Sequence, residues 1–204
     1  MVMFGSLGIG LGEPLNAMQL LWINLLTDIA PGLALALEAP EPDVLSRPPR
    51  NPDEPIIRKD DFKRIAFESA VLSAGSMGAY GYGIMRYGMG PQAGTMAFMG
   101  LTLGQILHAL SCRSEKFSIY DREKLPPNRY LDAALAGSVA LQGLAMVVPG
   151  LRNLLGLSPI GFADWLVVGG AAAAPLLINE ATKRPSILSH KTSVVENIKT
   201  NHKV

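Results

Sequence analysis

Long apolar blocks alternate with short polar ones along the whole chain, and the block lengths carry the first inference. Residues 1–37, 65–85, 87–112, 130–151 and 153–182 contain no Lys or Arg. A helix rises about 1.5 Å per residue, so roughly 20 apolar residues cross the hydrocarbon core of a bilayer. Five spans are predicted, at residues 14–37, 65–88, 93–112, 130–149 and 161–181. Residues 1–12, MVMFGSLGIGLG, are apolar but too short to cross and read as a helix stump. The expected fold class is therefore all-α, a polytopic transmembrane helix bundle of five spans plus that stump.

The cations sort between the connections. Residues 38–64 carry six Lys or Arg, residues 113–129 five and the segment after the last span five, against only Arg86 and Arg152 on the opposite side. A soluble bundle has no reason to distribute its charges by alternate loops. By the positive-inside rule the split places the C-terminal tail in the cytoplasm. Residues 1–182 read as a membrane domain and 183–204 as a polar cytoplasmic tail, with a plasma or inner membrane as the expected location.

Composition changes this picture little. A net charge of +1 gives no support to a nucleic-acid partner, and the single Cys112 rules out an internal disulfide. The proline-rich segment EAPEPDVLSRPPRNPDEP, residues 38–55, should run extended, as an ordered cytoplasmic strap or as a linker. Small-residue runs at 75–83, 100–104 and 169–175 are expected to be helix-packing faces.

The first span breaks the apolar rule. Asn24, Thr27 and Asp28 follow i, i+3, i+4 spacing and share a helix face. Pro31 has no N–H and deprives the Thr27 carbonyl, four residues back, of its helical donor, while Gly32 makes local unwinding cheap. Side-chain and main-chain oxygens thus gather at membrane depth, as in the broken helices that form ion sites. An ionised Asp at the bilayer centre costs about 2.5–3.5 kcal/mol on insertion scales, and the one Lys or Arg within a span is Arg86, at the far end of the second and not placed to pair with it. A bound cation offsets that cost most simply; a protonated Asp beside a plain proline kink is the competing reading. Gln105, in GLTLGQILHAL, is either a further oxygen donor or interhelical glue. His108 reads as structural, and Glu13, Glu68, Asp132, Asp164 and Glu180, near span ends, as interfacial charges.

QLLWINLLTDIAPGLALALE followed by DVLSRPPRNPDEPII resembles the sixth transmembrane helix and following loop of P-type cation-transporting ATPases, in their calcium-pump-like branch. Trp22, Asn24, Leu25, Thr27, Asp28, Pro31 and Arg47-Pro48-Pro49-Arg50 carry the match. The resemblance implies that Asn24, Thr27 and Asp28 are ion ligands, and that Gln105 stands where pumps of internal membranes have a Glu. It also implies a transported cation, Ca²⁺, with Mg²⁺ and ATP entering only through catalytic domains. The phosphorylation string DKTGT and the GDGxND string do not occur in this sequence. Ca²⁺ takes about six to eight oxygens, and the four residues supply some five, so the site is incomplete on this chain. The expected partners are the lipid bilayer and the N-terminal, catalytic portion of such an ATPase, in the same longer chain or a separate one. The alternative is a freestanding membrane scaffold or regulatory protein that keeps the fold without transport. A channel or secondary carrier fits less well, because no inverted repeat is visible.

Overall fold

In the computed structural model, residues 1–40, 55, 57, 59–114, 117–120 and 125–183 are described. Most of the proline-rich segment and the tail from Arg184, on which the strap and tail expectations fall, lie outside the described residues. Among the described residues the regular structure is entirely helical. The stump forms α1 (Val2–Gly8). The first span is built from α2 (Ala17–Asn24), a π-helical turn at Leu25–Ile29 and α3 (Ala30–Ala36). Then follow α4 (Lys59–Tyr87), α5 (Pro91–Ser111), α6 (Arg129–Val147), the short α7 (Pro149–Leu154) and α8 (Phe162–Thr182).

Among the described residues, four segments are long and apolar enough to cross a membrane: Ala17–Ala36, Pro91–Ser111, Arg129–Val147 and Phe162–Thr182. The fifth expected span, 65–88, falls on the 29-residue α4 but for its last residue, and the glycines, serines and N-terminal charges of α4 dilute its hydropathy. α5 is the central helix. Its residues Ala93, Met96, Ala97, Phe98 and Met99 are almost wholly buried, packed with Ala79 and Tyr80 of α4 and Val168 of α8.

The small-residue runs are what allow α4, α5 and α8 to approach. A Cβ on Gly83 would lie 2.7 Å from Cα of Ala93, and one on Gly75 would lie 2.5 Å from the carbonyl oxygen of Ala171. The second approach has a cause in sequence. Pro175, inside α8, has no N–H to offer the Ala171 carbonyl one turn back, and its ring pushes that carbonyl outward. Gly75 is the space into which it moves.

Several charges expected at the interface are in fact buried and bonded. Asp164 is fully buried; its Oδ2 accepts from the Tyr87 hydroxyl and the Gly161 N–H, both at 2.7 Å, while Arg86 approaches Oδ1 at 3.3 Å. Glu180 accepts from Lys183 (2.6 Å), the Ser111 and Ser118 hydroxyls (2.7 and 2.9 Å) and the Ile119 N–H (2.9 Å). These carboxylates tie helix ends together, because burial of a charge is tolerated only with such partners. Glu13 and Asp132 remain exposed, as expected of interfacial groups.

Candidate cation site

α2 starts from a fixed point. The Asn16 side chain accepts from the Gln19 N–H at 2.8 Å and the Gln19 side chain accepts from the Asn16 N–H at 3.0 Å, a reciprocal capping box. Both side-chain amides also donate to the Leu155 carbonyl at 3.0 Å, which anchors the helix start to the end of α7.

The break at Pro31 takes a different form from the unwinding expected. The helix widens into a π turn over Leu25–Ile29, and α3 then restarts with Pro31 in its first turn. There the fixed φ of the proline fits the first turn, and the N–H it lacks leaves one carbonyl of the preceding π turn without its helical donor. In π pairing each carbonyl looks five residues ahead, so the carbonyl facing Pro31 is that of Leu26. It receives the Ser138 hydroxyl of α6 instead, at 2.9 Å.

Asn24, Thr27, Asp28 and Gln105 all line one cavity of about 600 Å³ between the broken helix, α4 and α5. The Thr27 hydroxyl lies 3.0 Å from both the Ile23 carbonyl oxygen and Oδ1 of Asp28. Gln105 Oε1 is buried and accepts no hydrogen bond from any described residue. A buried acceptor without a donor is uncommon and calls for a ligand or water in the cavity. With one carboxylate and three neutral oxygen-bearing side chains, the set suits a hard cation that prefers oxygen. Among the described residues no group of three or more His, Cys, Asp and Glu side chains is placed to hold a metal ion.

The same cavity has two further polar members that were read as structural or interfacial. Glu68 of α4 and His108 of α5 line it, 3.4 Å apart, and Arg64 bonds Glu68 at 2.8 Å. Nδ1 of His108 also lies 3.2 Å from the Asn179 side-chain nitrogen of α8. The available signal was spacing: Gln105 and His108 are i, i+3 on one helix and must share a face. At the far end of the broken helix, Glu38 pairs with Arg113 at 2.6 Å and accepts from Asn128 at 2.8 Å.

Apolar helices around a polar cavity at a helix break define a polytopic integral membrane protein. Residues 12–184 match the family described as "Cation transporting ATPase, C-terminus", and the chain belongs to that family. It is 31% identical over 182 residues to the calcium-transporting ATPase of Bacillus subtilis (strain 168), covering 87% of this chain and 20% of that protein. It is 29% identical over 172 residues to human calcium-transporting ATPase type 2C member 1, covering 84% of this chain and 19% of the relative. Calcium-transporting ATPase 1 of Schizosaccharomyces pombe is 28% identical over 174 residues, covering 85% and 19%. The chain thus spans about a fifth of the length of these curated relatives.

Proposed function

We propose that this chain is the C-terminal membrane portion of an ATP-driven cation pump, and that Asn24, Thr27, Asp28 and Gln105 form its share of the transported ion's site. The observation that carries this reading is their convergence on one cavity at the π turn, with the Gln105 carbonyl oxygen left without a donor. Calcium is the cargo, in keeping with the oxygen-only donor set and with the names of the relatives. The remaining oxygens come from the rest of the pump, since the four residues fall short of the six to eight that calcium takes. Mg²⁺ and ATP act at the catalytic domains, in the same longer chain or in a separate one.

The cavity supports that assembly. It shares Ser69, Leu72 and Gln105 with a second recess that reaches Met1 and Val2 at the start of α1. Together they form a groove that suits one further helix, whose polar face would meet Asp28. The sorted cations support a bilayer setting with the tail on the cytoplasmic side, in a plasma or inner membrane. A freestanding scaffold is not favoured, because it leaves Asp28 and the Gln105 oxygen without a use. The test is ATP-driven calcium uptake by membrane vesicles holding the pump that contains this chain. Asp28→Asn should abolish uptake; unchanged uptake would reject the assignment.

A further inference from the structure

We infer that Ser138 on α6 is a positioning residue for the cation site: its hydroxyl takes over the carbonyl that the π turn and Pro31 leave without a donor, and so fixes which way the ligand-bearing turn faces. The inference rests on the reading of Asn24, Thr27 and Asp28 as ion ligands.

One face of α6 is a buried stripe. Leu131, Leu135, Ser138, Gln142 and Ala145 recur at alternating steps of four and three, one continuous helix face. Two members are polar, and both are used on the broken helix. Gln142, fully buried, accepts from Trp22 Nε1 at 2.9 Å. Ser138 Oγ donates to the Leu26 carbonyl at 2.9 Å. Trp22 and Leu26 are i, i+4, as are Ser138 and Gln142, so the two bonds are successive rungs between the same two faces. A third contact closes the far end, where Asn128, the N-cap of α6, donates to the Ala34 carbonyl at 3.0 Å. The contacts bracket Asn24, Thr27 and Asp28.

Helical hydroxyls in this chain bond in two ways, locally or across to a second helix as Ser76 of α4 does to the Ala97 carbonyl of α5 at 2.9 Å. Thr27, Thr95 and Thr102 each turn back on the carbonyl of residue i−4, the local bond such side chains usually make. Ser138 instead reaches across to another helix. The carbonyl it meets cannot pair five residues ahead, where Pro31 has no N–H. Leu26 itself is 2% exposed against α6, while Asn24 and Asp28 stay open to the cavity. Without the hydroxyl, the Leu26 carbonyl regains a partner by rewinding to α pairing with the Ala30 N–H. That rotates the Asn24 half of the site relative to the Asp28 half and separates their oxygens.

The experiment measures calcium-dependent phosphorylation of the assembled pump in Ser138→Ala, Ser138→Thr, Asp28→Asn and Val139→Ala. Val139, off the buried stripe of α6 and 45% exposed, serves as the control. Ser138→Ala should raise the calcium concentration for half-maximal phosphorylation about tenfold, the scale of one buried acceptor left unpaired, with the maximal level retained. Ser138→Thr, which keeps the hydroxyl, should return it to within about twofold of wild type, and Val139→Ala should leave it unchanged. A simple packing defect would lower the maximal level and leave half-saturation in place. Should the alanine variant fail to accumulate, Ser138→Cys carries the same comparison with a weaker donor, and a shift of a few-fold is expected. Wild-type half-saturation in Ser138→Ala or Ser138→Cys, or an equal shift in Ala and Thr, overturns the inference. If Asp28→Asn abolishes the calcium dependence while Ser138 variants move nothing, only the positioning role fails. If Asp28→Asn keeps it, the site reading itself fails.

Discussion

Glu68 of α4 and His108 of α5 face each other across the cavity wall, with Oε2 and Nε2 3.4 Å apart. Each is held from behind: Glu68 by Arg64 at 2.8 Å, His108 by contact with Asn179 at 3.2 Å. The contacts join α4, α5 and α8 just beside Gln105, so they fix the cavity wall that faces the proposed ion ligands of the broken helix.

Because the Glu68 and His108 side chains are only 18% and 17% exposed, their pairing should be measurable as a coupling. Glu68→Gln and His108→Asn should each lower the thermal stability of the detergent-solubilised protein. The double variant should lose less than the sum, by about 1 kcal/mol. Strict additivity would mean that the two side chains are neighbours without an energetic link.

Close helix approach makes a contrast between glycines. Gly75→Ala and Gly83→Ala would force a Cβ to within 2.5 Å of the Ala171 oxygen and 2.7 Å of the Ala93 Cα, whereas Gly169 has nothing within 4 Å. The first two substitutions should destabilise by about 1–3 kcal/mol and Gly169→Ala should be close to neutral. Thermal unfolding followed by loss of the monodisperse peak gives the ranking directly.

Glu38, beyond the end of the first span, gives a pH prediction. Burial opposes its charge, but hydrogen bonds from Arg113 and Asn128 and the Arg113 charge outweigh that and hold its pKa below the ordinary carboxylate value. A depressed folded-state pKa means that the stabilisation is present above the usual carboxylate range and is lost as pH falls through the lowered value. Wild type should therefore lose stability on acidification more steeply than Glu38→Gln. Parallel pH profiles of the two proteins would contradict the role given to this clamp.

How much of this was legible in the sequence varied from element to element. The spans were, because apolar runs free of Lys and Arg have few alternatives to membrane helices; α5 at Pro91–Ser111 and α8 at Phe162–Thr182 lie within two residues of the expected 93–112 and 161–181. The packing role of the small residues was also legible, as Gly83 against Ala93 illustrates. The form of the helix break was not. Pro31 announced a disturbance, but whether a chain unwinds or widens into a π turn depends on what a neighbouring helix offers, and Ser138 is 112 residues away from Leu26. For the same reason Glu68 and His108 read as separate polar residues until α4 and α5 were set side by side. Asp164 and Glu180 looked interfacial by position along the chain, yet their partners Tyr87 and Ser111 come from other helices. One-dimensional spacing does not carry that information.

On the proposed function, Asp28 sits in an apolar helix because a cation sits beside it, completed by groups from the rest of a pump. Radioactive calcium bound at equilibrium by the purified, assembled pump tests this most directly. The expected result is saturable binding that Asp28→Asn abolishes and that the 204-residue chain alone does not reproduce. Undiminished binding in the Asp28→Asn pump would contradict it.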